Sequence, residues 1–315
     1  MRRERASNGA SFNSHVPRSG RSVRHTVCVG VAAAFLAAPQ LALLAATVPS
    51  ASLPSAIYTD PAHDAEYPAT VSVLHIPIQG VTINGLAYIP SGAGPHPVLV
   101  ICHGLPGNEK NLDLAQAVRR AGWVAVTFNY RGSWGSGGTF SFIGNLADAA
   151  AVLTYLRDAH NAAALRADPK RIAIAGHSMG GFVAAKTASQ DSGLIGTVLI
   201  SAWDPSRPTS HERLVAQMAG DMESLAGVTA ESMAAEIDAH RKEMALGATA
   251  GGLKGKPLLV LTADDGLAQS SDALVQTIRA GGGPVSSAHV ATDHSWSDRR
   301  IELEARVIGW LQSLR

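Results

Sequence analysis

Two segments, Thr70–Ile78 and Val81–Ile89, alternate apolar and polar residues on either side of Gln79-Gly80. Period-two alternation marks strands with one covered face, and the short polar break between them predicts an antiparallel hairpin. The pattern then changes character. Pro97–Cys102, Trp123–Asn129, Arg171–Ala175, Thr197–Ala202 and Pro257–Thr262 are short, nearly unbroken apolar runs. Strands buried on both faces have this composition. Between them lie stretches with helical spacing, including Asn111–Ala121 and Asn145–Asp158. Strands alternating with helices predict an α/β fold: a mostly parallel central sheet, helices on both faces, and the hairpin as an antiparallel N-terminal edge. A weaker strand around Ser286–Val290 and a closing helix would complete it.

One segment breaks the alternation. Residues 204–256 separate two predicted strands by far more than an ordinary connection. Thr209–Leu246 within it reads as helical and carries Met218, Met222, Met233 and Met244. The expectation is a small helical cap over the C-terminal edge of the sheet, with a plain surface excursion as the competing reading. Methionines in such a segment serve helix packing more often than they line a substrate surface.

The N-terminus belongs to a different class. Arg2, Arg3, Arg5, Arg18, Arg21 and Arg24 stand against one acid, Glu4, and an apolar run follows from Thr26 to Val48. Small residues come next, in Pro49–Ala56. This order is that of a secretory signal, so residues 1–52 are expected to be a signal peptide with a disordered tail, and 53–315 the folded domain. The run is long enough to span a bilayer, which leaves an uncleaved anchor as the alternative; Pro39 and the small residues favour cleavage. The protein would then be secreted or periplasmic. The whole chain of 315 residues carries +1; without those six arginines and one glutamate, a net +5, the remainder carries −4. A mildly acidic body argues against nucleic acid or an anionic membrane as partner. Cys28 falls in the apolar run, leaving Cys102 as the one cysteine of the domain; it follows a strand pattern and is expected to be buried.

Candidate chemistry centres on Gly176-His177-Ser178-Met179-Gly180. A predicted strand precedes it and a helix start, Gly181–Ala188, follows. In a strand-turn-helix context, G-x-S-x-G throws the serine into a strained backbone position with its hydroxyl exposed. A serine hydroxyl needs a base, a carboxylate to orient that base, and donors for the oxyanion. Asp264 and Asp265 follow the strand Pro257–Thr262, and His294 lies in the loop after the last weak strand, giving the order Ser, Asp, His. The oxyanion donors are expected to be the backbone N–H of Met179 and, from the loop His103–Gly107, that of Leu105, since Pro106 has none. His103 is read as a brace for this loop rather than as the base. Asp148 and Arg131 are either a buried pair or solvated neighbours. No His/Cys/Glu spacing suggests a metal site, and Gly132–Gly138 lacks the ending of a phosphate loop, so neither a metal nor a cofactor is expected.

At these residues the chain resembles the α/β-hydrolase superfamily from about residue 70 to its end. Asn129–Phe140, reading Asn-Tyr-Arg-Gly-Ser-Trp-Gly-Ser-Gly-Gly-Thr-Phe, and Asp293–Asp298 resemble segments of dienelactone-hydrolase-like and prolyl-oligopeptidase-like members. The resemblance implies a Ser-His-Asp mechanism with an acyl-enzyme intermediate: Ser178 as nucleophile, His294 as general base and acid, and an aspartate orienting it. Thr262 stands where relatives carry a glycine before the acid; the spacing favours Asp265, with Asp264 as its neighbour. Some relatives place the acid after the sixth strand, where this chain has Asp204. The implied activity is hydrolysis of small or medium carboxylic esters. The alternatives are a peptidase or amidase acting on short peptides, for which Glu223, Glu231, Glu236 or Asp238 of the cap could anchor a free amine, and a non-catalytic binding protein on the same scaffold.

Overall fold

A computed structural model describes residues 53–314. The predicted signal segment, residues 1–52, lies outside the described residues, and among the described residues no helix is long and apolar enough to cross a membrane. The hairpin forms as the alternation predicts: β1 (Thr70–Ile78) pairs antiparallel with β2 (Val81–Ile89). Gln79 and Gly80 make the turn with left-handed backbones. The apolar runs become β3 (His96–Cys102), β4 (Val124–Phe128), β5 (Ala167–His177), β6 (Leu194–Ile200) and β7 (Leu258–Ala263), followed by β8 (Val285–Val290). The sheet order is β1-β2-β4-β3-β5-β6-β7-β8, antiparallel from β1 to β4 and parallel from there on.

Each central strand splits its side chains between two cores. In β3, Val98, Val100 and Cys102 face one core while Leu99 and Ile101 face the other. On one face pack α2 (Gly144–Arg157), α4 (Met179–Gln190) and α8 (Ala268–Ala280); on the other, α1 (Leu112–Arg120) and α9 (Arg300–Ser313). Burying a Val, Leu or Ile side chain contributes about 1.5–3 kcal/mol, which is why these strands carry almost no polar side chains. Cys102 is fully buried, and burial pushes its thiol up to about 12. The remaining small helix of the core, α3 (Ala159–Ala164), follows α2 directly.

The long insertion after β6 forms α5 (His211–Met218) and α6 (Ala230–His240), then a short turn of α7 (Ala250–Leu253). Its helix is interrupted where the sequence pattern runs on. Around Met222–Val228 the chain leaves helical geometry, with Gly227 at φ +76° and Leu225 bridged antiparallel to Ser133. Met233 and Met244 are fully buried and Met218 nearly so, in the packing role expected of them. The insertion is tied to the core through Glu236 of α6. Its carboxylate accepts from the Ser141 hydroxyl (2.6 Å) and from the N–H groups of Phe142 (3.1 Å) and Ile143 (3.0 Å). These groups lie at the start of α2, whose leading N–H groups have no intrahelical acceptors.

Candidate active site

β5 ends at His177 and α4 begins at Met179, so Ser178 is the single residue of the turn. Its backbone sits at φ 55°, ψ −120°, a conformation that costs an L-residue energy and is held only by its surroundings. Four hydrogen bonds hold it: Ser178 N–H to the Ile200 carbonyl (3.0 Å), and the N–H groups of Gly181 and Trp203 (both 2.9 Å) and of Phe182 (3.4 Å) to the Ser178 carbonyl. The flanking glycines are a steric requirement. A Cβ on Gly176 would lie 1.9 Å from the Gly180 carbonyl oxygen, and one on Gly180 2.0 Å from that of Cys102.

Met179 is the first residue of α4, so its N–H has no acceptor within the helix and lies at the positive end of the helix dipole. The loop carrying Leu105 runs against the serine: a Cβ on Gly104 would come within 3.0 Å of Ser178 Cβ. The Leu105 N–H donates to no backbone or side-chain acceptor among the described residues. The loop is braced from within. His103 is buried, its Nδ1–H donates to the Gly104 carbonyl (2.7 Å), and the Tyr130 hydroxyl donates to the His103 carbonyl (3.2 Å). Burial pushes the His103 imidazole down to about 4, so it stays neutral. This is the bracing geometry anticipated for it. A further clamp was not anticipated: the indole N–H of Trp134 and the Ser224 hydroxyl both donate to the Pro106 carbonyl, at 2.6 and 3.3 Å.

The three candidate acids separate cleanly. Asp265, in the loop after β7, has a side chain only 4% exposed, and its Oδ2 accepts from His294 Nδ1–H at 2.8 Å. Its Oδ1 accepts from the Leu267 N–H (2.9 Å). Burial raises its pKa, but the hydrogen bonds from His294, the Leu267 amide and the Ser201 hydroxyl outweigh burial and leave it below the usual carboxylate range. Asp264 points to solvent and pairs with His289 Nε2 (2.9 Å). Asp204 is buried, but its Oδ1 accepts from the Ser206 amide and hydroxyl and from the Leu246 amide at 2.7–3.2 Å, which fixes the entry to the cap rather than orienting a histidine. Asp148 and Arg131 form the buried pair: Arg131 donates to both carboxylate oxygens, and Asp148 is fully buried.

His294 is held by neighbours that spacing alone does not reveal. His177 Nε2–H donates to the His294 carbonyl (2.8 Å), and the two rings lie 4.7 Å apart. Burial, and then the adjacent His294, push His177 down to about 4. Trp296, fully buried at φ +60°, donates its indole N–H to Ser201 Oγ (3.1 Å). Arg300, at the start of α9, reaches the Ser295 carbonyl (3.0 Å) and pairs with Asp113. The visible signal for His177 was its place as the variable residue before the serine; Ser201 and Trp296 had none beyond small size and lone bulk. Among the described residues no group of three or more His, Cys, Asp or Glu side chains is arranged to hold a metal ion.

The arrangement places a strained serine, a carboxylate-bound histidine and unpartnered amides at the C-terminal ends of parallel strands, where open α/β sheets gather their sites. Comparison with known proteins agrees with the fold. Solved structures with the same architecture include an esterase from Pyrobaculum calidifontis, 22% identical, TM-score 0.59, covering 79% of this chain and 87% of that one. A thermostable carboxylesterase cloned from a metagenomic library is also 22% identical, with a TM-score of 0.59, over 83% and 92%. An acylaminoacyl peptidase from Pyrococcus horikoshii is 16% identical, TM-score 0.58, over 78% of this chain and 41% of that one. In sequence, uncharacterized proteins of Mycobacterium tuberculosis are 32% identical over 112 residues, 35% of this chain, and the match spans 38% of their length. The model of the alpha/beta hydrolase family matches residues 99–307, from within β3 to within α9, and the chain belongs to that family.

Proposed function

We propose that the protein is an exported serine hydrolase of carboxylic esters. The observation that carries this reading is the pairing of a strained nucleophile elbow at Ser178 with the 2.8 Å hydrogen bond between His294 and Asp265. With Nδ1–H held by Asp265, His294 presents Nε2 as the base. Nε2 takes the Ser178 hydroxyl proton as Oγ attacks the ester carbonyl carbon. The carbonyl oxygen becomes an oxyanion for which Met179 N–H and Leu105 N–H are the donors. Collapse of the tetrahedral species breaks the ester C–O bond, and His294 returns the proton to the departing alkoxide. Water then repeats the sequence on the acyl-Ser178 ester, giving the free acid and regenerating the serine. Asp265, held ionised, stabilises the imidazolium that forms twice per turnover. The basic-then-apolar N-terminus supports export of the domain.

A second reading, hydrolysis of short peptides or amides, has one observation in its favour. Of the four cap acids that could anchor an amine, Glu231 and Asp238 pair with His211 and Glu236 caps α2. Glu223 has no partner among the described residues and lines a cavity of about 460 Å³ beside Pro106.

The test is turnover by the full chain of p-nitrophenyl esters of increasing acyl length, beside aminoacyl p-nitroanilides, with Ser178→Ala as control. Ester hydrolysis abolished in the variant is the expected result. Ester hydrolysis retained by Ser178→Ala would remove the nucleophile from the reading. Anilide turnover far above ester turnover would transfer the protein to the peptidase branch.

A further inference from the structure

A cavity of about 380 Å³ opens between the acid loop and the first helix of the cap, with Trp203, Arg207, Arg213, Leu214 and Asp265 in its wall. It adjoins one proposed catalytic residue directly and a second through a backbone bond. Asp265 is itself a wall residue, and the Trp203 N–H is bonded to the Ser178 carbonyl.

The charges in this wall are unevenly satisfied. Two carboxylates and two guanidinium groups contribute, so the formal sum is zero, but the carboxylates are taken. Asp265 is bonded to His294 and the Leu267 amide, and Asp204 to Ser206 and the Leu246 amide. Neither arginine lies within ion-pair distance of a carboxylate among the described residues. Arg207 is half-buried and reaches only the Gly266 carbonyl (2.6 Å) through one nitrogen, while Arg213 is exposed and its side chain has no acceptor among the described residues. A guanidinium presents five donors in a planar fork suited to carboxylate, and all five of Arg213 are free of protein acceptors among the described residues. Trp203, Leu214 and Leu267 supply apolar surface beside this donor pair.

We propose that this cavity is a substrate subsite for a carboxylate, so that the preferred esters carry a second, free carboxylate set apart from the scissile bond by a short apolar chain. The inference rests on the serine-hydrolase reading and specifies its substrate class. Arg213 is the main anion contact, and Arg207 supports it while holding the acid loop through Gly266.

The experiment compares kcat/KM of the full chain for paired esters, charged and neutral, matched in length. One pair puts the carboxylate on the acyl side, the mono-p-nitrophenyl ester of glutaric acid against p-nitrophenyl valerate. The other puts it on the alcohol side, the butyrate ester of glycolic acid against ethyl butyrate. The expected result is a preference of about tenfold or more for the charged member of one pair, the size of one charge-assisted contact. In Arg213→Gln that ratio should collapse toward one, and Arg213→Lys should restore part of it. Reading a ratio removes any general effect of the substitution on folding or chemistry. Neutral esters preferred in both pairs, or a ratio that Arg213→Gln leaves unchanged, would overturn the subsite while leaving the hydrolase intact. Should no ester turn over, calorimetric titration with N-methylglutaramate, a carboxylate with an amide in place of the ester, reads the subsite alone. Binding weakened by Arg213→Gln supports it, and no binding overturns it.

Discussion

His177 packs against the side chain on which turnover is proposed to depend, yet takes no part in proton transfer. Its Nε2–H is committed to the His294 carbonyl, so it is the neutral tautomer, and its Nδ1 is buried without a partner. It acts as a positioning residue: it sets where the loop carrying His294 stops. Gln can donate from a similar place and Phe cannot, so His177→Gln is expected to retain most of kcat, whereas His177→Phe loses it with little change in KM. Steady-state kinetics of the two variants decide this. The buried imidazoles of His177 and His103 also bear on stability. Both pKa values fall from the ordinary 6.5 to about 4 on folding. A depressed folded pKa means the unfolded chain binds protons that the folded chain refuses. The stability is therefore complete above pH 6.5 and is lost as pH falls toward 4, by an order of ~3 kcal/mol for each histidine. Urea midpoints at pH 7 and pH 5 should show the lower value at pH 5, and the difference should shrink in His177→Gln. The acids give a third test at this scale. Asp265→Asn is expected to lower kcat by about 10³–10⁴-fold, as loss of a triad carboxylate does. Asp264→Asn, at an exposed position, should stay within a few-fold of wild type. Asp204→Asn should act on the cap through thermal stability rather than on the pH profile.

At the scale of elements, the strands were legible because burial on two faces leaves no room for polar side chains, and the hairpin because burial on one face imposes alternation. β5 begins earlier than its apolar run. Ala167–Lys170 is mostly polar, yet Ala167 pairs with His96 across a register shift that no pattern announces. The break in the cap helix was hidden for a related reason. Leu225 and Val228 fit a helical stripe, and what removes them from it is a contact with Ser133, some ninety residues earlier. The elbow could be read because its glycines are demanded locally. The joining of Asp265 to His294 depends on two loops whose separate paths meet only in three dimensions, so spacing left three candidate acids, of which Asp265 alone is bonded to His294. The clamp on Pro106 and the chain from Trp296 to Ser201 belong to the same class of long-range contact. The elbow itself makes a firm test. Gly180→Ala places a methyl 2.0 Å from a backbone oxygen that cannot step aside, and should destabilise the fold by several kcal/mol in chemical denaturation.

For the described chain taken whole, the cap shares the hydrophobic core of one sheet face through residues such as Met233, Ile237 and Leu246, and a few specific bonds fix it there. Asp204 fixes where the insertion leaves β6, Lys186 of α4 reaches the Glu243 carbonyl (2.8 Å), and Glu236 holds the first turn of α2. Replacing Glu236 by Ala strands three donors, two of them backbone amides, and should lower stability by about 1–2 kcal/mol. Glu236→Gln, which keeps an acceptor oxygen, should recover part of it. The Glu236 contact also has a kinetic consequence. Any excursion that lifts α6 from the sheet must release the Phe142 and Ile143 amides at the same moment, because one carboxylate binds both. In heavy water those two protons would be replaced by deuterium at the frequency with which α6 lifts away, so peptide-resolved mass spectrometry of residues 141–144 would time that motion without any substrate being present.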